Sequence, residues 1–461
     1  MNTTDISRRN FLKTVALGAV AAASSSCGVG TRKSDDASPQ AGSEPMTMRK
    51  NHNTGDEVSI LGYGMMRLPM VKDTEGVNET QTIDQEMVNS LVDYALEHGV
   101  NYFDTAPVYC QGKSEESTGI ALSRHPRNSY FIATKLSNFS PESQSREASI
   151  EMFENSLRYL RTDYVDYLLL HAIGGGGMPV FNARFINNGI LDYLIGQKEQ
   201  GRIRNLGFSY HGDVEVFDTM LKWMDEGRVH WDFVQIQLNY VDWYTHPGDN
   251  AKDAEYLYSE LAKRRIPAVI MEPLLGGRLA NVPQPIAAKM KERRPDDSAA
   301  SWAFRFAGTE PGILTVLSGM TYMEHLQDNL RTYSSLVSCT DDEKVFLRTS
   351  ALEYVANKPI NCTACQYCMP CPYGLDIPAI FAHYNKCINN GSMPRDAQAP
   401  GYARARRAYL VAYDRAVPQQ RQASRCIGCG ECLSHCPQQI NIPKKMREID
   451  AYTTQLKRGK A

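Results

Sequence analysis

The stretch VNYFDTAPVY, at residues 100–109, holds the pattern that decides the fold of this 461-residue chain. A short apolar run that includes Tyr102 and Phe103 stops at two polar residues, Asp104 and Thr105. Aromatic residues in a short apolar run favour a buried strand, and polar residues directly after it lie at its carboxyl end. The stretch therefore predicts a buried strand whose end carries reactive side chains.

Runs of the same kind recur between Val58 and Tyr333 and alternate with amphipathic helical segments. The predicted strands are 58–63, 100–105, 130–135, 165–171, 203–209, 233–239, 267–272 and 313–318, and the predicted helices include 85–98, 150–160, 214–225 and 254–263. Strands that alternate with helices over about 280 residues predict the α/β class and a (β/α)8 TIM barrel, placed at residues 56–335. Functional residues of such a barrel lie at the carboxyl ends of its strands.

Three consecutive strand ends carry residues that suit one reaction. The 100–105 strand leads into Asp-Thr-Ala-x-x-Tyr, with Asp104 and Tyr109; the next strand ends at Lys135, and the one after it ends in Leu-Leu-His at His171. Together these motifs resemble the aldo-keto reductase family, and the resemblance covers roughly residues 56–335. It implies an oxidoreductase that acts on a small carbonyl or alcohol, with these four residues as its catalytic group.

Carbonyl reduction explains why these residue types are needed. The carbonyl receives a hydride on carbon and a proton on the developing alkoxide, and tyrosine, with an ordinary pKa of about 10, is a weak acid at neutral pH. We expect Tyr109 to be the general acid or base, with the Lys135 ammonium favouring its ionised form. Asp104 would keep Lys135 charged and in place. His171 would donate a hydrogen bond to the substrate oxygen.

The resemblance also implies a nicotinamide cofactor, NADP(H) or NAD(H). Members of the family bind it at the ends of the later strands, and a helix N-terminus after the last strand suits its pyrophosphate. The Lys, Ser and Arg that bind the 2′-phosphate in the family fall here on Gly319, Met320 and His325, which leaves the choice of nucleotide open. The predicted cofactor-binding residues are Ser209, Gln235, Leu275, Gly277, Arg278, Gly319, His325 and Asn329.

Eight of the twelve cysteines fall into two runs near the C-terminus, and each run ends in Cys-Pro. The first run is Cys362, Cys365, Cys368 and Cys371, and the second is Cys426, Cys429, Cys432 and Cys436. The second spacing, C-x2-C-x2-C-x3-C-P, is that of bacterial ferredoxins, in which the last cysteine reaches the other cluster. The runs predict two 4Fe–4S clusters. Structural zinc is the alternative, because C-x2-C pairs also suit a tetrahedral site.

The two runs also form an internal repeat. Asp-Ile-Pro follows the first run at 376–378, and Asn-Ile-Pro follows the second at 441–443. In both copies we expect the proline to occupy the first position of a helix. More than fifty residues with a helical pattern separate the runs. This interval predicts a mostly α-helical ferredoxin-like domain at 359–461, similar to those of larger redox enzymes and joined to the barrel by a helix at 336–358.

Residues 1–27 resemble a twin-arginine export signal. SRRNFLK at 7–13 matches its pattern, and the apolar stretch at 14–23 is shorter than the 20 or so residues that span a bilayer core. This route carries folded proteins, so we expect a periplasmic or cell-envelope protein that receives its clusters before export. A lipid on Cys27 would be the one membrane contact. Residues 28–55 lack apolar periodicity and predict a flexible linker.

Charge bears on possible partners. A formal net charge of −2 gives no indication of nucleic-acid binding. The segment from Arg395 to the end carries thirteen Lys and Arg against five Asp and Glu. This basic segment suits an acidic redox partner protein, or it offsets the negative charge of cluster thiolates.

Three functions remain open on these grounds. In the first, the barrel is a reductase or dehydrogenase that uses nicotinamide and is connected to the clusters, although nicotinamides transfer hydride and clusters transfer single electrons. In the second, the chain is an electron-transfer protein whose barrel is a catalytically degenerate docking scaffold. In the third, the reductase is active and the clusters are structural or sense redox state.

Overall fold

Eight parallel strands close into a barrel in the computed structural model, which describes residues 44–72, 81–245 and 253–459. The barrel strands in chain order are β3 (Leu61–Gly64), β6 (Tyr102–Asp104), β7 (Phe131–Leu136), β8 (Val165–Ile173), β9 (Ile203–Tyr210), β10 (Phe233–Gln237), β11 (Ala268–Met271) and β12 (Ile313–Ser318). The ring closes where β3 pairs with β12, with Leu61 opposite Val316. The predicted (β/α)8 barrel is confirmed.

The strand predicted at 58–63 is two strands in the structure. β2 (Glu57–Ser59) pairs antiparallel with β1 (Met48–Lys50), and only the following β3 enters the barrel. Near this hairpin, the Asn51 side chain is buried and donates to the Tyr167 hydroxyl at 3.2 Å. The linker predicted at 28–55 is therefore ordered from residue 44, because the hairpin covers the amino end of the barrel. Residues 1–43, with the predicted signal and Cys27, lie outside the described residues.

A second hairpin pairs β4 (Met70–Lys72) with β5 (Gln81–Ile83). The helices of the barrel region lie close to their predicted positions, and the helix predicted at 150–160 begins earlier because the Ser145 side chain accepts from the Ala148 N–H and caps it. The helices are Gln85–Glu97, Ser114–Leu122, Arg146–Leu160, Gly177–Phe181, Ile190–Glu199, Val214–Asp225, Tyr240–Tyr244, Ala254–Lys263, Gln284–Arg293, Ala299–Thr309 and Met323–Tyr333.

An aromatic cluster fills the lower part of the barrel interior. Tyr102, Tyr167 and Phe233 are fully buried, and the Tyr167 ring centre lies 5.0 Å from each of the other two. Burying an aromatic side chain of this kind contributes about 1.5 to 3 kcal/mol. The polar residues at the strand ends therefore lie above a layer of tightly packed, buried rings.

The C-terminal region, residues 359–459, is mostly helical, as predicted. The connecting helix Asp341–Ala356 begins with a capping box formed by Thr340 and Glu343, and the later helices are Ile377–Asn389, Tyr402–Ala416 and Ile442–Arg458. The repeated prolines occupy the second helical position instead of the first. The reason is that Asp376 and Asn441 cap these helices, which start one residue earlier than expected. Among the described helices, none has the length and apolar character to cross a membrane.

Candidate active site

The four predicted catalytic residues lie together at the carboxyl end of the barrel. Asp104 ends β6, Lys135 lies in β7, His171 lies in β8, and Tyr109 follows β6 in a turn. Asp104, Lys135 and His171 are at most 3% exposed, and Tyr109 is half-buried. The Lys135 ammonium is 2.6 Å from Asp104 Oδ1, 2.8 Å from the Thr105 carbonyl oxygen and 4.8 Å from the centre of the Tyr109 ring. The structure thus assembles the group whose catalytic roles the sequence predicts.

The acidity of Tyr109 differs from the expectation. Burial, together with Tyr367 and Asp104, raises the pKa of Tyr109 well above its ordinary value. The expected net lowering of this pKa was wrong, because burial outweighs any effect of the Lys135 ammonium, which is paired with Asp104 and lies over the tyrosine ring. Tyr109 is therefore a neutral phenol at physiological pH. It can donate a proton to a developing alkoxide but does not persist as tyrosinate.

His171 is held as a neutral imidazole. Burial is the largest cause that lowers the pKa of His171 far below its ordinary value, and the charges of Lys135 and Arg184 lower it further. Its Nδ1 lies 2.6 Å from Ser137 Oγ, and the Ser137 side chain lies on the same strand face as Lys135, two residues away. When Ser137 donates to Nδ1, the ring proton is on Nε2, the nitrogen that faces the open side of the site.

Tyr367 enters this site from the first cysteine run, and no sequence motif indicates that it does. Its hydroxyl lies 3.4 Å from His171 Nε2, and Tyr367 is one of the causes that raise the pKa of Tyr109. Its ring centre is 6.3 Å from that of Phe139 and 6.3 Å from that of His171. The barrel site is therefore completed by a residue that lies between two predicted cluster ligands, Cys365 and Cys368.

The segment before Tyr367 is fixed to the barrel mouth. The Arg67 guanidinium donates to the Thr363 carbonyl oxygen, and Arg278 Nη1 donates to Asn361 Oδ1 at 2.9 Å. Gly276 has a φ of +70°, and a Cβ there would come within 2.6 Å of the Thr363 carbonyl oxygen. Such close backbone contact requires glycine, so the barrel and the C-terminal region meet through a tightly packed seam.

Each predicted cluster site is a cavity lined by cysteines from both runs. The first cavity is lined by Cys362, Cys365 and Cys368 together with Cys436. The second is lined by Cys426, Cys429 and Cys432 together with Cys371, and Cys368 also lines it. This exchange of the last ligand is the arrangement of two-cluster ferredoxins. Apolar residues such as Ile377 and Ile442 complete both cavities. The donor sets fit two 4Fe–4S clusters.

The zinc alternative needs four donors around one ion. Across residues 44–72, 81–245 and 253–459, no group of three or more His, Cys, Asp or Glu side chains is arranged to bind one ion. Three successive C-x2-C steps with a last cysteine that lines the other cavity are typical of cluster domains.

Comparison with known proteins supports this division of the chain. A model of the "Aldo/keto reductase family" matches residues 60–345, more than half of the sequence. The chain belongs to the aldo/keto reductase family. A second model, of a "4Fe-4S dicluster domain", matches residues 361–441 and covers both cysteine runs.

Three relatives of this aldo/keto reductase each cover about two thirds of its chain. L-galactose dehydrogenase of Arabidopsis thaliana is 25% identical over 327 residues, which cover 67% of this chain and 95% of that protein. Among solved structures, aldo-keto reductase AKR11C1 of Bacillus halodurans has a TM-score of 0.51 at 23% identity and covers 66% of this chain and 96% of its own. An aldo-keto reductase of Klebsiella pneumoniae in complex with NADPH has a TM-score of 0.51 at 20% identity, over 66% and 94%.

The residues predicted to bind the nicotinamide ring are bonded within the protein. Ser209 is buried and its Oγ accepts from the Ala172 N–H at 2.8 Å. Gln235 is buried, and its Nε2 lies 3.4 Å from Asp104 Oδ2. Both side chains therefore support the barrel and the catalytic aspartate in this arrangement of the chain.

The other predicted cofactor-binding residues follow β11 and β12. Leu275 is buried, Gly277 is exposed, and Arg278 is engaged by the C-terminal region through Asn361 because the Thr363 segment packs on this loop. After β12, a Cβ at Gly319 would lie 3.2 Å from the Arg67 side chain. His325 is exposed, and Asn329 Nδ2 donates to Ser318 Oγ at 2.9 Å. Gly277 and His325 are thus exposed, whereas Arg278 and Asn329 are engaged within the protein.

Proposed function

We propose that this aldo/keto reductase is an oxidoreductase that interconverts a small carbonyl compound and its alcohol at Tyr109 and His171, and that it carries two 4Fe–4S clusters for electron transfer. The observation that supports this most strongly is the position of Tyr367. A residue between two cluster-binding cysteines shares hydrogen-bonding partners with the catalytic group. A scaffold that had lost its catalysis has no need of this contact or of the buried Asp104–Lys135 pair.

The residues of the barrel supply proton transfer and orientation. Tyr109 is neutral and donates the proton that the alkoxide takes up, and it recovers that proton in the reverse direction. The Lys135 ammonium, held by Asp104, lies over the Tyr109 ring and stabilises negative charge as the phenol gives up its proton. Neutral His171 donates from Nε2 to the substrate oxygen. Proton transfer by a positioned side chain contributes about 10² to 10⁴ in rate.

The C-terminal region supplies the ligands for the clusters. Each cluster would be held by three cysteines of one run and the final cysteine of the other, and clusters of this type exchange single electrons when bound. The excess of Lys and Arg after Arg395 supports an acidic redox partner protein, whose approach such a charge would favour.

Nicotinamide remains a candidate hydride carrier because the family resemblance supports it, although the packing of Thr363 on Gly276 opposes it. Both NADPH and NADH are therefore tested on protein purified without oxygen, with cofactor fluorescence and cluster absorbance followed together. If the barrel and the clusters are coupled, a nicotinamide should bind and the visible absorbance of the clusters should fall. Binding and aldehyde reduction with unchanged clusters would favour structural or sensing clusters.

A Tyr109→Phe variant separates catalysis from electron transfer. Loss of the phenol should lower carbonyl reduction by about 10² to 10⁴, because the proton donor is gone, and should leave the cluster spectra as in the wild type. Turnover is assayed with a panel of aldehydes under reduction by dithionite and by each nicotinamide in turn. Full activity of Tyr109→Phe would contradict the proposed role of the four catalytic residues and would favour the interpretation that the barrel is a docking scaffold.

We also propose export by the twin-arginine route, on the basis of SRRNFLK at 7–13. A variant in which Arg8 and Arg9 are both lysine should accumulate in the cytoplasm, because the paired arginines form the recognised signal. Cell fractionation and immunoblotting measure this. Labelling with a radioactive fatty acid shows whether Cys27 carries a lipid.

A further inference from the structure

Tyr367 makes the contacts that the proposed reaction requires of its substrate. Carbonyl reduction needs one oxygen atom that touches both Tyr109, which supplies the proton, and His171, which orients the oxygen. The Tyr367 hydroxyl lies 3.4 Å from His171 Nε2, and the His171 ring centre lies 5.9 Å from that of Tyr109, whose pKa Tyr367 helps to raise. A hydroxyl of the protein itself therefore lies where the substrate oxygen must bind.

The surroundings of the Tyr367 ring indicate what else fits this site. The ring packs beside Phe139 and approaches His171 nearly edge-on, at an interplanar angle of 81°. Phe139 itself lies 5.0 Å from the His171 ring. The site is thus built around a flat ring with a hydroxyl group, held by aromatic side chains on its sides and by polar groups at its end.

We infer that Tyr367 is an internal occupant of the substrate-oxygen site and is displaced by a ring-bearing alcohol or carbonyl substrate. This rests on the proposed function, and it adds a specificity-determining residue and a substrate class to it. The occupant lowers the apparent affinity of any ligand for the site, because only the fraction of molecules with Tyr367 outside the site can bind. Small acyclic carbonyl compounds, which leave the ring space empty, compete with Tyr367 less well than ring compounds do.

Displacement of Tyr367 is transmitted to the first cysteine run by the backbone. Thr363 is fixed by Arg67 and by its contact with Gly276, so the chain on that side does not follow the ring. Ala364 and Gln366 follow Thr363 in the chain. Their φ values of +53° and +66° lie in the left-handed region, which is unfavourable for residues other than glycine. A strained segment that flanks Cys365 therefore takes up the movement, and the second cysteine run does not.

The decisive measurement uses p-cresol, which is the tyrosine side chain as a free molecule. Binding to the anaerobically purified protein with its clusters is measured by titration calorimetry. Tyr367→Ala should bind p-cresol at least about tenfold more tightly than the wild type, because the competing ring is gone. The control is Tyr373→Ala, which removes an exposed tyrosine close to the same run and should bind as the wild type does. Adding Tyr109→Phe to Tyr367→Ala should reverse much of the gain.

A second readout follows the cluster environment. In the wild type, p-cresol should alter the electron paramagnetic resonance spectrum of the reduced protein, and in Tyr367→Ala it should alter it much less. Equal affinity of wild type and Tyr367→Ala for p-cresol would overturn the inference. If Tyr367→Ala assembles its clusters poorly, Tyr367→Leu keeps an apolar contact with Phe139 and carries the same expectation. Because p-cresol binding needs no turnover, its result is independent of whether any nicotinamide is oxidised.

Discussion

The two cysteine runs repeat one sequence pattern in two different surroundings. The inner run, residues 362–371, packs against the barrel mouth, where Thr363 is 2% exposed and Tyr367 reaches the catalytic residues. The outer run, residues 426–436, carries Ile427 at 63% and Leu433 at 43% exposure, and its Cys429 is exposed. The comparison shows that a motif specifies the cofactor, while the residues between its cysteines specify what the cofactor is close to.

This difference gives the runs different tasks in the proposed enzyme. The inner run faces the substrate pocket, and the outer run presents an apolar surface within a basic region, as a docking site for a redox partner does. The exchange of the last cysteines nevertheless joins them, since Cys436 of the outer run lines the inner cavity and Cys371 lines the outer one.

The largest expected effect comes from breaking that exchange. Cys436→Ser should abolish or severely destabilise the cluster of the inner cavity and lower bound iron by about half, while the outer cluster persists. Cys371→Ser is the matched change and should remove the outer cluster. Iron analysis and the electron paramagnetic resonance of reduced protein measure both. Loss of the outer cluster in Cys436→Ser would show that each run holds its own cluster.

The next effect concerns the connecting helix, which leads from the barrel to the inner run. Burial alone would raise the pKa of Glu343, but hydrogen bonds from Arg305, the Thr340 N–H and Arg294 outweigh it and lower the pKa to about 2. A glutamate in the unfolded chain has a pKa of about 4.3. Above that pH, the ionised Glu343 of the folded protein therefore adds up to about 3 kcal/mol to the free energy of unfolding. This contribution is lost as the pH falls from about 4 towards 2.

Glu343→Gln should therefore lower the free energy of unfolding by up to about 3 kcal/mol at pH 7, and the difference from the wild type should shrink below pH 4. Urea unfolding followed by tryptophan fluorescence measures it at each pH. Glu353→Gln in the same helix removes an exposed pair with Lys289 and should cost about 0.5 kcal/mol or less. Equal effects of the two changes would contradict the lowered pKa.

The difference between two neighbouring glycine variants, expected to be no larger than the effect at Glu343, tests the packing of the inner run on the barrel. Gly276→Ala and Gly277→Ala both place alanine at positive φ, at an expected cost of about 1 to 2 kcal/mol. In Gly276→Ala the new Cβ also pushes against Thr363, which adds about 1 to 3 kcal/mol to the cost. A Cβ at Gly277 meets nothing within 4 Å, so Gly277→Ala has no such added cost. Thermal unfolding compares them. Gly276→Ala should also expose the inner cluster to ferricyanide, and identical oxidation rates in the two variants would argue against a sealed inner run.

The smallest effect is expected on the outer run. Ile427→Asp changes an exposed side chain and should alter stability by no more than about 0.5 kcal/mol. It should slow reduction by an acidic electron donor such as a ferredoxin, because it removes apolar surface and adds repulsion, and the slowing should weaken at high salt. Stopped-flow absorbance measures the rate. An unchanged rate would place partner docking on another surface.

Strand positions and the grouping of the catalytic residues were predictable because parallel strands buried on both faces are continuous apolar runs. β12 at Ile313–Ser318 and the helix Val214–Asp225 match the prediction residue for residue. The division of 58–63 into two strands was not predictable, since Val58 runs almost directly into β3 and only the pairing of β2 with β1 separates the two strands. The ligand exchange between cysteine runs was predictable from spacing alone.

The completion of the site by Tyr367 and the raised pKa of Tyr109 were not predictable. Tyr367 reaches His171 from 196 residues away, and a tyrosine between two cysteines has no feature that indicates which surface it will meet. The raised pKa follows from burial and from the side of Tyr109 on which Lys135 lies, and neither is a property of the motif. Contacts across a domain seam and the electrostatics that depend on them require the three-dimensional structure.

The pairing of β3 with β12 also orders the synthesis of the molecule. Leu61 meets its partner Val316 only after 255 further residues have been made, which takes roughly 10 to 50 s at about 5 to 20 residues per second. The cysteines leave the ribosome later still. The barrel can therefore close first, and Arg67 and Gly276 then form a surface on which the segment around Thr363 packs. In this order of synthesis, the folded barrel acts as a template for the folding of the C-terminal region.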